Sequence, residues 1–439
     1  GIPQPVEAFT CHKRLSDRSK FQLLVKKHLA ELRGREQETQ TLAELWQRAL
    51  AGNSAVVSVE GEGGIGKTRL MHDVSHQLLE DGGTGILIEC SPFHEGTYLY
   101  PIVSWLERKL GISVGDSSHE KKARLQSAFQ DAGDQRLALL GSLLGINQQL
   151  LPPLPLSPKR QRDLTQEAVI WLLEEEAGHG PYFCIVEDLH WCDPSTLELL
   201  GQLIREPVAG TLLAVTYRPG FQHRWQELEH IELGQIPAQE AERIVRSADP
   251  HGVLPDETVQ QIVERADGIP LFIEELTQTV LSAQQNLPAG TSTEPARIPS
   301  SLRDSLFARL DRLPHGKSVA QLAAVIGRDF SRQLIEEVWP GRHEDLQTGL
   351  HELTGSGLLE RHRNNRRFMY TFKHALIRDT AYESLLMRKR EQFHLVIGSV
   401  IEDKFSHLAR ARPEVVAYHF TAGLEYSRAL NYWQLSSRM

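Results

Sequence analysis

The octapeptide Gly61–Thr68 constrains the fold of this chain more than any other feature of its 439 residues. It reads Gly-Glu-Gly-Gly-Ile-Gly-Lys-Thr, which matches the pattern GxxxxGK[ST], and it closely follows the β-branched run Ala55–Val59. Glycines let the backbone turn tightly enough for its N–H groups to face phosphate oxygens. Lys67 can supply positive charge to the β- and γ-phosphates of a nucleotide, and the Thr68 hydroxyl can ligate Mg²⁺. The predicted nucleotide contacts in this segment are Gly61, Glu62, Gly63, Gly64, Ile65, Gly66, Lys67, Thr68 and Arg69.

A second apolar strand, Tyr182–Val186, ends in the two acids Glu187 and Asp188. Mg²⁺ favours carboxylate oxygen, and a second carboxylate can orient or deprotonate an attacking water. We therefore predict a metal site at Thr68, Glu187 and Asp188. Glu187 is first in line for the metal and Asp188 for the water, and the reverse assignment stays open.

Arg218 follows a further apolar strand, Thr211–Val215. A planar guanidinium at a strand end could reach the γ-phosphate, since it pairs well with phosphate. The alternative is a surface arginine that precedes Pro219. With Lys67, Glu187 and Asp188, Arg218 completes the predicted catalytic set.

Apolar strands at 55–59, 85–90, 182–186 and 211–215 alternate with helical segments. Such alternation predicts an α/β P-loop NTPase fold, a parallel sheet covered by helices on both faces. The candidate strand 85–90 lies between the two motifs along the chain. This arrangement suits NTPases that insert a strand between the P-loop strand and the acid-bearing strand.

After residue 233 the pattern becomes helical. Helices are predicted at 239–247, 256–266 and 271–285, followed by a proline-containing linker at 286–300 and by helices at 302–313, 319–326 and 346–353. Two extended runs, 358–361 and 368–372, flank the turn-prone Asn364–Asn365. Three helices and a hairpin describe a winged helix. The remaining residues are predicted to be helical.

At about 150 residues per domain, this length predicts about three domains. The predicted divisions are a tail at 1–31 with a strand at 6–10, an ATPase domain at 32–232, a helical lid at 233–297, a winged helix at 298–386, and a helical region at 387–439.

Composition excludes several classes of protein. The chain is 40% hydrophobic and 24% charged, which argues against disorder. Its net charge of -9 argues against a whole-chain electrostatic hold on nucleic acid. No run approaches the roughly 18 apolar residues of a membrane span. The four cysteines form no CxxC pair, so we expect a cytoplasmic, reducing environment.

Five further segments occur in a recognisable order: Gly34–Glu36, Glu187–Thr196, Thr216–Pro219, Gly268–Glu275 and Phe372–Asp379. With the P-loop they resemble the STAND signal-transduction ATPases of the AAA+ superfamily, above all the bacterial type fused to class III nucleotide cyclases. In that family ATP or ADP, with Mg²⁺, lies among an ATPase domain, a helical domain and a winged helix.

The resemblance implies roles for four positions, of which Arg218 is also indicated by its place at a strand end. Arg35 would lie near the nucleotide, Pro270 would pack against adenine, and Arg218 would sense the γ-phosphate. His374 would touch the β-phosphate of bound ADP in the off state, and an imidazole can donate to phosphate. An ordinary histidine at a helix start is the alternative for His374.

Two positions depart from the family pattern. The acid pair is Glu-Asp, whereas related switch ATPases often have Asp first, which leaves the catalytic assignment open. Ile269 stands where many relatives have Asn, and we expect that change to be tolerated because Pro270 is kept.

Both ends of the chain also resemble known modules. Gly1–Phe9 resembles the last strand of a class III cyclase domain, and Tyr418–Trp433 resembles the first helical pair of a tetratricopeptide array. The resemblance implies that an upstream cyclase effector and a downstream helical-repeat sensor are missing from this chain.

The expected function is an ATP/ADP-binding signal-transduction switch with slow hydrolysis, which self-associates with ATP and regulates a cyclase effector. A DNA-binding regulator is one alternative, with helix 344–354 in a major groove. Acids on that helix disfavour nucleic acid, while basic residues cluster in the hairpin at Arg361, Arg363, Arg366 and Arg367. A constitutive AAA+ ATPase is the other alternative.

Overall fold

Five runs rich in β-branched and aliphatic residues form one parallel sheet. The strands are β1 (Ala55–Gly61), β2 (Thr84–Glu89), β3 (Tyr182–Glu187), β4 (Thr211–Tyr217) and β5 (Glu229–Leu233). They lie in the order β2-β3-β4-β1-β5, and every neighbouring pair is parallel. The predicted parallel sheet is therefore confirmed.

The computed structural model describes residues 32–91, 94–112, 116–152, 154–178, 180–223, 225, 228–250, 252–285, 302–364 and 367–436. The predicted tail 1–31, its strand 6–10 and the predicted linker 286–300 lie outside these residues. So do Asn365 and Arg366 of the predicted hairpin.

Two features of the sheet differ from the sequence prediction. The strand that separates the P-loop strand from the acid-bearing strand is β4, while residues 85–89 of the predicted strand 85–90 lie in β2 at the sheet edge. The other edge strand, β5, was not predicted. It buries Ile231 and Leu233 but exposes His230 and Glu232, so it lacks the continuous apolar run of a central strand.

Helices cover both faces of this sheet, because alternate strand residues point to opposite sides. Phe183 and Ile185 pack with α1 (Glu36–Leu50) and α2 (Lys67–Glu80). Cys184 and Val186 belong to the core on the other face. The helices of that second face are α3 (Tyr100–Lys109), α4 (Ser118–Ala128), α5 (Gly133–Leu143), α6 (Pro158–Ala177) and α7 (Pro194–Arg205).

The next three helices pack around a small core of their own. They are α8 (Ala238–Ala248), α9 (Asp256–Ala266) and α10 (Pro270–Gln285). Their bounds confirm the predicted helices at 239–247, 256–266 and 271–285.

Helices then surround a small antiparallel sheet. The elements are α11 (Leu302–Asp311), α12 (Gly316–Ile326), β6 (Asp329–Ser331), α13 (Arg332–Val338), α14 (His343–Gly355), β7 (Leu359–Asn364), β8 (Arg367–Phe372) and α15 (Ala375–Glu383). The strand order is β6-β8-β7. The hairpin β7–β8 was predicted, whereas β6 and α13 are too short to leave a periodic signal in the sequence.

The last described helices share a core with this region. They are α16 (Met387–Lys404), α17 (Ser406–Ala411), α18 (Pro413–Ala422) and α19 (Tyr426–Ser436). Ile397 and Phe420 are fully buried together with Phe330 and Phe372. The two regions therefore pack as one body. No helix in the described parts of the chain combines the length and apolarity that crossing a bilayer requires.

Candidate nucleotide-binding site

The loop between β1 and α2 has the backbone conformation that phosphate binding needs. Gly64 and Gly66 adopt left-handed conformations, with φ of 87° and 105°. Gly66 is also the N-cap of α2, and having no side chain it leaves the first N–H groups of the helix uncapped. These N–H groups and the helix dipole together favour an anion at this point.

Lys67 lies folded against the loop that precedes it. Its Nζ donates to the carbonyl oxygens of Gly61 at 2.6 Å and Glu62 at 3.0 Å. Burial lowers the pKa of Lys67, and the nearby Asp188 carboxylate opposes this effect. The ammonium group is therefore held where the phosphates of a nucleotide would lie, on contacts that a phosphate can replace.

The Arg35 side chain stabilises the loop by binding backbone carbonyl oxygens. Its guanidinium donates to the carbonyl oxygens of Ile65 at 3.1 Å and Gly234 at 2.6 Å, and it pairs with Glu38 at 3.0 Å. Arg35 is only 5% exposed. Its described contacts therefore fix the shape of the loop and link it to the segment after β5.

Helix α10 of the predicted lid begins directly against the loop. Pro270 is the first residue of α10, and the Leu271 N–H donates to the Gly64 carbonyl at 3.3 Å. Gly268 holds the approach to α10 in a left-handed turn, where an added Cβ would lie 2.6 Å from the Ile236 carbonyl oxygen. The Gly268–Leu271 segment thus lies over the phosphate loop.

The acid pair lies at the carboxyl end of β3. The pKa of Glu187 is raised to about 8, chiefly by burial and also by neighbouring Glu89 and Asp188, while the Thr68 side chain opposes the rise. Glu187 Oε1 is buried without a hydrogen-bond partner. Asp188 has a φ of 56°, and its N–H donates to Thr216 Oγ1 at 3.1 Å. Glu187 is therefore oriented towards Thr68, and Asp188 lies in the field of Lys67.

The side chains of Arg218 and His190 also lie near the phosphate loop and the acid pair. The Arg218 guanidinium lies beside the loop, with its Cζ 3.8 Å from a Cβ built on Gly63. Both ring nitrogens of His190 are buried without hydrogen-bond partners. Burial lowers the pKa of His190 to about 4, with Asp188 opposing and Arg218 and Lys67 adding to the decrease. The sequence prediction omitted His190, although it follows Asp188 by two positions.

Arg69 lies one residue after Thr68 but is engaged on α2. Its Nε lies 3.4 Å from a carboxylate oxygen of Asp73, one helical turn away. This local ion pair orients the Arg69 side chain along the helix.

His374 is the N-cap residue of α15, and its Nε2 is buried without a hydrogen-bond partner. The pKa of His374 is lowered to about 3, chiefly by burial and also by the charges of Lys373, Arg328 and Arg309. The imidazole is therefore neutral at physiological pH, and its free nitrogen can donate to an anion.

A cavity of about 490 Å³ opens beside the carboxyl edge of the sheet. Asp188 and Arg218 line it from the sheet, Arg328 and Arg378 from the region of the small antiparallel sheet, and Tyr418 from α18. Arg328 was not identified from the sequence. Residues of the large sheet, of the small antiparallel sheet region and of α18 thus meet next to the acid pair.

These residues fit Mg²⁺ bound together with a nucleotide. Within the described residues, no group of three His, Cys, Asp or Glu side chains is placed to hold a metal ion. Mg²⁺ normally binds through one or two carboxylates plus substrate phosphates and waters. The unpartnered Glu187 Oε1 beside Thr68 is the kind of acceptor that such a site requires.

Comparisons with known proteins agree with this geometry. Residues 31–215 match the family model of the AAA ATPase domain (AAA_16). An uncharacterized protein of Rhizobium meliloti (strain 1021) is 29% identical over 385 residues, which are 82% of this chain and 36% of that protein. This chain thus spans about a third of that relative's length.

A solved structure has the same fold over most of the chain. It is a STAND protein with a tetratricopeptide repeat sensor from Pyrococcus horikoshii, with a TM-score of 0.50, 12% identity, and coverage of 94% of this chain and 58% of that one. Cdc6p from Pyrobaculum aerophilum is more distant, with a TM-score of 0.39, 16% identity, and coverage of 82% and 97%. The family model and the fold together support an ATPase domain of the AAA+ class.

Proposed function

We propose that this chain is a nucleotide-operated switch that exists in an ADP-bound off state and an ATP-bound on state. One observation carries the proposal. Leu271 from α10 contacts the phosphate loop directly, and His374, a domain away, presents an unpartnered nitrogen in the neighbourhood of Arg328. We infer from these positions that groups from three parts of the chain would surround one nucleotide site, as a switch requires.

In the ADP state the contacts would hold the three parts together. Lys67 would exchange its carbonyl contacts for the phosphates, and His374 would donate to the β-phosphate. Pro270 would pack against adenine, while Arg35 would keep the loop in shape. ADP at about 100 times its dissociation constant would stabilise this state by about 2.7 kcal/mol.

In the ATP state a different set of residues would contact the nucleotide, the metal and the attacking water. Arg218 would bind the γ-phosphate, Thr68 and Glu187 would hold Mg²⁺, and Asp188 would orient the attacking water. Bound Mg²⁺ would neutralise phosphate charge. Because a ligand shifts an equilibrium only by its differential affinity, loss of the His374 contact and gain of the Arg218 contact would drive opening. Slow hydrolysis would reset the switch.

We further propose that opening frees surfaces for self-association and regulates an effector. The resemblance of Gly1–Phe9 to a cyclase strand supports a class III nucleotide cyclase as that effector. The small antiparallel sheet and its helices would be the winged helix, and α18–α19 would begin a tetratricopeptide array. The tetratricopeptide sensor named for the Pyrococcus horikoshii structure supports a sensor at this end.

A DNA-binding role has little support in the described residues. The first turn of α14, which would enter a major groove, carries Glu344 and Asp345. Of the predicted basic hairpin, Arg361 has a described side chain, and it lies over the Phe368 ring at 5.3 Å.

The first experiment is to purify the chain without added nucleotide, denature it, and identify the released compounds by chromatography. Near-stoichiometric ADP would support the locked off state. An empty protein would contradict it and favour weak, exchangeable binding, as in a constitutive ATPase. Analytical ultracentrifugation with ATP and Mg²⁺ would then test self-association.

A further inference from the structure

Arg328 lines the cavity beside the acid pair, and the backbone around it sets its position. It lies in the turn between α12 and β6, and its carbonyl accepts from the Phe372 N–H at 3.0 Å. The preceding Gly327 has a φ of 150°, which L side chains rarely adopt. The turn therefore fixes the direction in which Arg328 leaves the small sheet.

Three carboxylates meet at the carboxyl edge of the large sheet. Glu89 ends β2 directly opposite Glu187 at the end of β3, and Asp188 follows. Glu89 and Asp188 both line the cavity of about 490 Å³ beside this edge. A cluster of like charges needs a cation nearby, or one of its members must stay protonated.

Arg328 is placed to be that cation. It lines the same cavity as Glu89 and Asp188, and its Nε is buried without a hydrogen-bond partner. Burial lowers the pKa of Arg328, but Glu89, Asp329, Asp188 and Glu187 raise it by more. The acids thus stabilise the guanidinium as charged.

Lys67 and Arg218 also lie near the acids, but they belong to the region of the large sheet itself. Lys67 donates to the carbonyls of Gly61 and Glu62, and Arg218 lies against Gly63. Arg328 differs from both because it comes from the region that would dock and undock during switching. Its charge is therefore present at the carboxylates only when that region is closed onto the sheet.

We propose that Arg328 is a positioning residue that serves as the counter-ion of Glu89 and Asp188 when no metal is bound. The inference rests on the proposed nucleotide site. Without Arg328 or a metal, the charges of Glu89 and Asp188 would repel the diphosphate of ADP, and Arg328 offsets that repulsion as Mg²⁺ does. The closed chain therefore holds ADP without needing a metal, and Mg²⁺ competes with docking of the second region.

The test compares ADP affinity with and without metal. Copurified nucleotide is removed with a phosphatase, and the dissociation constant for ADP is measured by calorimetry with excess Mg²⁺ and with EDTA. For the wild type, we expect the two constants to agree within about threefold. For Arg328→Gln, ADP should bind more than about tenfold more weakly in EDTA than in Mg²⁺, because only the metal then offsets the carboxylates.

Two variants make this readout specific. Arg328→Lys keeps a cation and should restore much of the metal-free affinity. Arg332→Gln removes a half-exposed arginine of the same region, which pairs with Glu336 at 2.7 Å, and should leave the ratio of the two constants unchanged. A merely structural role for Arg328 would weaken ADP binding equally in both conditions.

The outcomes separate this inference from the proposed function. If the wild type already loses more than about tenfold in EDTA, the inference is overturned without any variant, even if Arg328→Gln does not fold. The same follows if folded Arg328→Gln shows the wild-type ratio. A wild type that binds ADP in neither condition would overturn the nucleotide site itself, and the inference with it.

Discussion

Arg412 donates to the Glu107 carboxylate at 2.7 Å, joining residues that are 305 positions apart in the sequence. The same guanidinium donates to the Tyr100 hydroxyl at 2.7 Å. Tyr100 in turn stacks on His94, with 3.5 Å between ring centroids. The start of α18 is therefore tied to α3, the first helix on one face of the nucleotide-binding sheet.

Arg412→Gln should loosen the C-terminal helices from the ATPase domain. Loss of a partly buried, charge-assisted contact costs about 1–3 kcal/mol. Amide hydrogen exchange in α17–α19 should speed up, and ADP should dissociate faster. Arg410→Gln, an exposed change in the same segment, is the control. Equal exchange in both variants would show that this contact does not hold the closed form.

Lys67→Ala should largely abolish nucleotide retention. It removes the ammonium group that lies against Gly61 and Glu62, and a charge-assisted bond to phosphate contributes about 1.5–3 kcal/mol, or about 10- to 100-fold in affinity. Calorimetry with ADP measures the change, and circular dichroism checks the fold. Unchanged affinity would refute the assignment of the phosphate loop.

Asp188→Asn and Glu187→Gln should separate the roles of the two acids. Asp188→Asn should keep ATP binding while single-turnover hydrolysis falls by about 10²-fold or more. Glu187→Gln should instead raise the Mg²⁺ concentration needed for ATP binding, because its carboxylate lies beside Thr68. If only Glu187→Gln stops turnover at saturating Mg²⁺, the two assignments must be exchanged.

His374→Ala should favour the open form. It removes the unpartnered Nε2 that we assign to the β-phosphate of ADP, and one such bond contributes about 1 kcal/mol or slightly more. Stopped-flow chase of a fluorescent ADP analogue should show release several-fold faster than in the wild type. His343→Ala, at the exposed start of α14, is the matched control. Equal release from both variants would make His374 a structural residue.

Acid should destabilise the joint between α16 and α18. His394 and His419 are both 1% exposed, and their Nδ1 atoms are 2.9 Å apart. Burial lowers the pKa of His394 to about 4, and that of His419 well below its usual value.

The sign of this effect follows from the two states. An unfolded histidine titrates near pH 6.5, so on acidification the unfolded chain takes up the proton first. The stabilisation is complete above pH about 6.5 and is lost as the pH falls towards about 4, by on the order of 2 kcal/mol per imidazole at pH 5. Urea unfolding from about pH 7.5 to about pH 5.5 should show this loss, with a smaller pH slope for His419→Gln. An equal slope would assign the acid sensitivity to other groups.

Local chemistry explains which parts of the site could be predicted. The phosphate loop and the acid pair are recognisable because their residues are contiguous and each element has a strong period or a fixed glycine requirement. Strand β5 escaped prediction because only Ile231 and Leu233 face the core, and β6 because three residues carry no period.

The groups that were missed depend on tertiary packing. Arg328 is one of 48 basic residues, and nothing next to it in the sequence marks it as a partner of Glu89 or Asp188. His190 lies within the segment Glu187–Thr196, but what marks it as a site residue is that both of its ring nitrogens are buried without hydrogen-bond partners. The cavity beside the acids forms only when three distant segments meet.

The hydrogen bond from the Leu271 N–H to the Gly64 carbonyl couples two motions that could otherwise be independent. Because α10 is anchored on the same peptide units that would face the phosphates, rotation of this helix must strain or rotate the loop. The angle of the lid helix α10 and the conformation of the phosphate loop therefore change together. Glu275 of α10 pairs with Arg309 of α11. A movement of the C-terminal regions that tilts α10 through this pair would therefore change how tightly the loop binds the nucleotide.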